Sequence, residues 1–293
     1  MAHLVAHPGI RRLTRTVAFG GGGLTLLGMT GVGVLVAEAR LARRWIEQRM
    51  STPHEVDGRY GADGRVGPHL PAGTSAATDR CLVACVVGDS AAAGLGADDP
   101  AATPGALLAT GLARHTAHLV DLHTRTRVGA VSAELAGQVD RLEADGVRPD
   151  VVLVIIGGND VTKRVPALLA AAQLGEAVAR LRATGALVVV GTVPDLSTLT
   201  SVRQPLRALG GRWSRQLAVA QTRAITAAGG HPVDLRGLTA GEFHADPAHL
   251  FSDDRFHPST DGYRHTMAHV VPVVLDLLHG GSGDDLVAGV TDR

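Results

Sequence analysis

The sequence predicts an α/β domain, a three-layer α/β/α sandwich around a central five-stranded parallel sheet. Three observations carry this reading. Short β-branched runs alternate with longer stretches of helical period between Cys81 and His279. The run Val151-Val152-Leu153-Val154-Ile155-Ile156 is apolar throughout, as a strand covered on both faces requires. The order is βαβ, and parallel neighbours need such crossovers.

Residues 1–50 read as a hydrophobic anchor or signal segment. Arg11, Arg12 and Arg15 precede Val17 to Ala37, 21 residues without a charge. At ~1.5 Å per residue a helix of that length covers about 30 Å, the thickness of a bilayer core. Membrane association through residues 17–37 and a membrane-anchored or secreted place in the cell envelope are therefore expected. Orientation stays open, because Arg40, Arg43, Arg44 and Arg49 balance the arginines ahead of the segment. Residues 51–80, rich in Pro, Gly, Ser and Thr, read as a linker.

The folded domain is expected over residues 81–279. Cys81 to Val87 is the first strand, and Thr103-Pro104 places an N-cap and an N1 proline before a helix to about His115. Leu119 to His123 is the second strand, followed by a helix near 132–145 that Gly146 terminates. The third strand is the run at 151–156. Pro166 opens an Ala/Leu helix closed by Gly185, and Ala186 to Thr192 is the fourth strand. Gln204 to Ala228 is helical, with Gly210-Gly211 as a candidate break; Pro232 to Leu235 is the fifth strand and Thr260 to His279 the last helix. Residues 280–293 read as a disordered tail.

Composition excludes some functions. Twenty-eight basic and 28 acidic residues give a net charge of zero, so the electrostatic footprint of a nucleic-acid binder is missing. The two cysteines, Cys81 and Cys85, lie on one predicted strand roughly 13 Å apart, too far to bridge. Without flanking ligands they make no zinc set.

In such a sheet the ligand site lies beyond the carboxyl ends of the strands. Gly88-Asp89-Ser90 follows the first strand, Gly129 the second, and Gly157-Gly158-Asn159-Asp160 the third. Near the C-terminus stands Ser252-Asp253-Asp254-Arg255-Phe256-His257-Pro258, just ahead of the last helix. A serine nucleophile needs an imidazole to take its proton, and the imidazole needs a carboxylate to hold its tautomer. Ser90, His257 and Asp254 can fill those roles. A metal site on Asp253, Asp254 and His257 is the alternative, and it leaves Ser90 unexplained. Pro194-Asp195-Leu196 is either a pocket wall or a surface turn, and Phe251 and Phe256 are candidates for an aromatic lining.

These blocks resemble those of the SGNH hydrolases, also called GDSL esterases and lipases, in the family's order. The resemblance covers Cys81 to about His279 and implies a flavodoxin-like fold. It implies Ser90 as nucleophile, with the Ser90 N–H, the Gly129 N–H and the Asn159 side-chain amide as the oxyanion hole. Asp254 and His257 match the block that supplies orienter and base. The expected activity is hydrolysis of carboxylic esters, with short to medium acyl chains or of lipids or glycans, through an acyl-enzyme on Ser90, with no metal or organic cofactor. Two alternatives stay open: acyl transfer to a sugar or polyol, and a non-catalytic envelope-binding domain.

Overall fold

The computed structural model describes residues 37–69 and 81–280. The expected anchor over residues 17–37 lies outside the described residues except for Ala37, and the tail from 281 and the stretch from 70 to 80 lie wholly outside them. Among the described residues no helix is long and apolar enough to cross a membrane.

The strands are β1 (Gly58–Gly61), β2 (Gly64–Gly67), β3 (Cys81–Gly88), β4 (Leu119–Thr126), β5 (Val151–Ile155), β6 (Leu187–Gly191) and β7 (His231–Val233). They form one sheet in the order β2-β1-β4-β3-β5-β6-β7. β4, β3, β5, β6 and β7 pair in parallel and are the five expected strands. The sheet has seven strands rather than five, because residues 58–67, read as part of a linker, form an antiparallel hairpin whose β1 pairs with β4. The sequences GRYG and GRVG carry too few apolar residues to show a strand period. Pairing is supplied by the open edge of β4, and Tyr60 is buried there with its hydroxyl donating to the Val56 carbonyl at 2.7 Å.

A first helix, α1, covers residues 37–47. The others are α2 (Pro104–Thr116), α3 (Leu135–Ala144), α4 (Gly158–Thr162), α5 (Ala167–Ala183), α6 (Leu206–Ala227), α7 (Leu235–Ala245), α8 (Pro247–Leu250) and α9 (Thr260–Gly280). Alternate side chains of each central strand feed opposite cores, following the period of two. Ala84, Val86, Val151, Leu153 and Val189 face one cluster, with Leu108 and Leu112 of α2 and Val270 and Val274 of α9. Cys85, Val87, Val152, Val154 and Val190 face the other, with Leu135 and Val139 of α3 and Leu174 and Val178 of α5. Both cysteines are free.

Thr103 caps α2 as expected, its hydroxyl accepting from the Ala106 N–H. Helix α6 runs unbroken through Gly210-Gly211. Gly211 is there for close packing: a Cβ on it would meet the Ser197 Cβ at 2.7 Å. In sheet order β3 lies between β4 and β5, so successive connections leave it on opposite sides. The crevice opens at the carboxyl ends of β3 and β5.

Candidate active site

Gly88 ends β3 with φ +142°, and a Cβ there would lie 1.9 Å from the Ile155 carbonyl oxygen of β5, so only glycine lets the chains pass. Asp89 donates its N–H to that carbonyl at 3.1 Å. Ser90 then opens a helical turn, closed by Ala93 N–H to the Asp89 carbonyl at 3.1 Å and Leu95 N–H to the Ser90 carbonyl at 3.0 Å. The first N–H groups of such a turn have no acceptor within it.

The loop from Ser252 to Pro258 brings in the partners. Ser90 Oγ lies 2.8 Å from His257 Nε2, and His257 Nδ1 lies 2.6 Å from Asp254 Oδ2. Ser90, His257 and Asp254 are 5, 4 and 1% exposed, so the relay is shielded along its length. Asp254 Oδ1 accepts from Ser252 Oγ at 2.9 Å, Phe256 N–H at 2.8 Å and His257 N–H at 2.9 Å. Burial opposes ionisation of Asp254, yet the hydrogen bond and charge of His257 and these N–H donors hold its pKa below the usual value. It is therefore held as the anion beside the imidazole.

Gly129 sits in the turn after β4, closed by Ala130 N–H to the Arg127 carbonyl at 3.0 Å, with φ +79° at the position that favours glycine. Its carbonyl accepts from Lys163 Nζ at 2.6 Å. Asn159 lies in the first turn of α4, which Gly157 enters at φ +134°. Gly129, Asn159, Ser90 and His257 line one groove of about 590 Å³. Val161, Leu199, Val202, Leu206 and Trp213 form its apolar floor, and Ala39, Ala42 and Ile46 of α1 line it as well. Ser90, Asn159 and His257 also border a smaller cavity of about 100 Å³. That cavity is walled by Pro194, Leu196, Phe243, Phe251, Phe256 and Met267, so the pocket-wall reading of Pro194-Asp195-Leu196 and the aromatic-lining reading of Phe251 and Phe256 both hold.

Three buried polar side chains aim these loops. Asp160 accepts from the Ser132 N–H and hydroxyl at 3.0–3.1 Å, tying the loop after β4 to α4. Gln138 clamps both sides of Gly88, accepting from its N–H at 2.7 Å and donating to its carbonyl at 2.9 Å. Gln221 bridges the ends of β5 and β6, accepting from Val193 N–H at 2.8 Å and donating to the Ile156 carbonyl at 3.0 Å. Sequence reasoning missed both glutamines. The signal was present: Gln138 shares the apolar stripe Leu135, Val139, Leu142, and Gln221 the stripe Leu217, Ala218, Ile225. A polar residue in such a stripe must find partners inside.

Asp89 is buried beside the relay, its Oδ1 accepting from the Ala91 N–H at 2.9 Å. Burial pushes its carboxyl from 3.8 up to about 6, against the opposing pull of that N–H and of His257. The native state then holds this proton to higher pH than the unfolded chain. The group contributes stability that is full below about pH 4 and is lost as the pH rises through about 6. The shift corresponds to on the order of 3 kcal/mol. Asp89→Asn is expected to remove that fall, read as the difference between the two proteins' urea unfolding free energies at pH 4 and pH 7. Curves that stay parallel across the window would show that Asp89 does not titrate there.

A family model described as GDSL-like lipase/acylhydrolase matches residues 86–265. The GDSL-like esterase Rv1075c of Mycobacterium tuberculosis is 42% identical over 230 residues, 78% of this chain and 72% of that protein. Among solved structures, TesA is similar with a TM-score of 0.54 and 23% identity, over 67% of this chain and 100% of that one. The psychrotrophic esterase EstA from Pseudoalteromonas sp. gives 0.51 and 18%, over 67% and 98%. The two structures show a shared fold, and the family match spans the loops that carry Ser90, Gly129, Asn159, Asp254 and His257. The chain accordingly belongs to the GDSL-like lipase/acylhydrolase family, the SGNH hydrolases, and is an enzyme of the esterase and lipase type.

Proposed function

We propose that this chain hydrolyses carboxylic esters through an acyl-enzyme on Ser90. The observation that carries the reading is the buried relay, Ser90 Oγ to His257 Nε2 at 2.8 Å and His257 Nδ1 to Asp254 at 2.6 Å. Ser90 Oγ attacks the ester carbonyl carbon while its proton passes to His257 Nε2, and Asp254 stabilises the imidazolium. The tetrahedral oxyanion takes hydrogen bonds from the Ser90 and Gly129 N–H groups and from the Asn159 amide. Collapse expels the alcohol, which leaves with the proton from His257. Water, deprotonated by the same imidazole, then attacks the acyl-enzyme and releases the acid. Asp254, held below the usual carboxylate range, stays ionised while the imidazole takes and returns the proton.

The two spaces beside Ser90 suit the two halves of an ester. The small apolar cavity accepts an acyl group of short to medium length, and the wide groove has room for a larger alcohol portion. Arg40, Arg43, Lys163, Arg164 and Arg207 line that groove. Turnover of p-nitrophenyl esters of graded chain length by the purified chain tests the proposal, and no turnover of any of them would overturn it. Asn159→Ala is expected to lower kcat about 10²–10³-fold with little change in KM, because an oxyanion donor acts in the transition state. A variant that loses only KM would remove Asn159 from the oxyanion hole.

We also propose that residues 17–37 tether the enzyme to a membrane at the cell envelope. Support comes from the length of that uncharged segment and from α1, which follows it in sequence and lines the groove beside Ser90. Carbonate extraction of membranes should leave the chain in the pellet; release of the full-length chain into the supernatant would count against a spanning anchor.

A further inference from the structure

A second cluster of chemistry-bearing side chains lies where the hairpin meets the sheet. Asp57 immediately precedes β1, His69 lies two residues beyond β2, and Asp121 and His123 lie two apart on β4, so they share a face. The antiparallel register pairs Gly58 with Leu122, which brings Asp57 level with His123. The two imidazoles stack, with ring centroids 4.2 Å apart and planes 11° from parallel. One ligand atom each from Asp57, His69 and His123 lie within 4.8 Å of one another.

We propose that Asp57, His69 and His123 bind a divalent transition-metal ion of the zinc class, with Asp121 orienting the two imidazoles. The donor set suits such an ion, since two imidazoles and a carboxylate are ordinary zinc ligands and leave a fourth position for water. Asp121 supplies what a metal-binding histidine needs behind it. Its Oδ1 lies 2.5 Å from His69 Nδ1 and its Oδ2 3.3 Å from His123 Nε2. One carboxylate thus takes one nitrogen of each ring and leaves the other nitrogen free to ligate.

The spacing agrees with this division of roles. His69 Nε2 is 3.8 Å from Asp57 Oδ2, too long for a hydrogen bond. Two ligands about 2.1 Å from a tetrahedral ion sit about 3.4 Å apart, so this pair has only to close slightly, while the stacked rings must tilt for both in-plane lone pairs to meet the ion. Asp57 is itself held, Oδ1 accepting from the Thr124 N–H at 2.9 Å and the Thr124 hydroxyl at 2.5 Å. Arg125, anchored on Asp145 at 2.7 Å, donates from Nη1 to Oδ2 at 3.2 Å, which leaves that oxygen its second lone pair for an ion. The four cluster side chains are partly exposed, at 15–34%, which leaves an entry path. An ion here would pin both ends of the hairpin to β4, a structural role independent of the esterase reading.

The test is zinc binding by the full chain after EDTA treatment, measured by equilibrium dialysis with metal analysis. One equivalent per chain is expected, with a thermal midpoint that Zn²⁺ raises and EDTA lowers, while Mg²⁺ does neither. His69→Ala and His123→Ala should each lose 100-fold or more in affinity. Asp121→Asn should lose about 10–100-fold, as for a residue that acts through a ligand. His257→Ala, at the esterase site, should bind zinc as the wild type does. Wild-type affinity no better than that of His69→Ala, or binding lost in His257→Ala, would overturn the proposal. Should His123→Ala fail to fold, His69→Ala and the visible spectrum of Co²⁺ bound to the wild type decide it. A spectrum without tetrahedral intensity would also overturn it.

Discussion

Ser90→Ala is expected to lower kcat/KM for p-nitrophenyl acetate by 10⁴ or more, with the fold intact. The effect is large because the hydroxyl is the group that becomes acylated, and neither water nor alanine can take its place at the same point. Its structural cost is small. The Ser90 side chain bonds His257 Nε2, and the loop geometry is held by Gly88, Gln138 and the backbone of the following turn. Steady-state kinetics together with thermal unfolding separate the two effects. A fluorophosphonate should bond to Ser90 Oγ in the wild type and fail to do so in His257→Ala. Comparable turnover by wild type and Ser90→Ala would sink the acyl-enzyme.

Asp254→Asn is expected to cost about 10⁴ in kcat, with KM little changed, and the reason lies in the four bonds the carboxylate accepts. Its Oδ1 takes Ser252 Oγ, Phe256 N–H and His257 N–H, and its Oδ2 takes His257 Nδ1. An asparagine keeps its oxygen on the three donors and turns its NH₂ towards the imidazole. Nδ1 must then accept, the ring proton moves to Nε2, and Nε2 can no longer take the proton of Ser90. Kinetics across pH, with proton NMR of the strongly hydrogen-bonded Nδ1–H, check this. The low-field resonance should vanish in the variant. Retention of kcat within tenfold would show that Asp254 is not the orienter.

The middle of the sheet was legible because β5 and β6 are buried on both faces. Such strands need unbroken runs like Val151 to Ile156, and a run of that kind can be read without knowing its neighbours. The glycines were legible for a related reason. Gly88 and Gly157 answer to local backbone angles and to close neighbours, so their places at strand ends mark a site. The hairpin at 58–67 was not legible, because its stability comes from the edge of β4 more than from its own side chains. Helices α7 and α8 were hidden too, between the expected fifth strand and last helix, where no helix was expected. Their stability comes from Phe243 and Leu250 packing under the catalytic loop, a contact no local pattern announces.

By itself, the sequence determined which residue types stand after each strand, and hence the chemistry available: a serine, an imidazole, a carboxylate and an amide. The resemblance to a known family assigned their roles. The tertiary structure alone decided that Ser90 and His257, 167 residues apart, meet at 2.8 Å. It also decided that the glutamines of α3 and α6 hold the strand ends, and that Asp57 and His69 reach His123. The division has one physical cause. Side-chain type and backbone angle are properties of a residue and its near neighbours, whereas a hydrogen bond across the sheet exists only once the core has closed and excluded water.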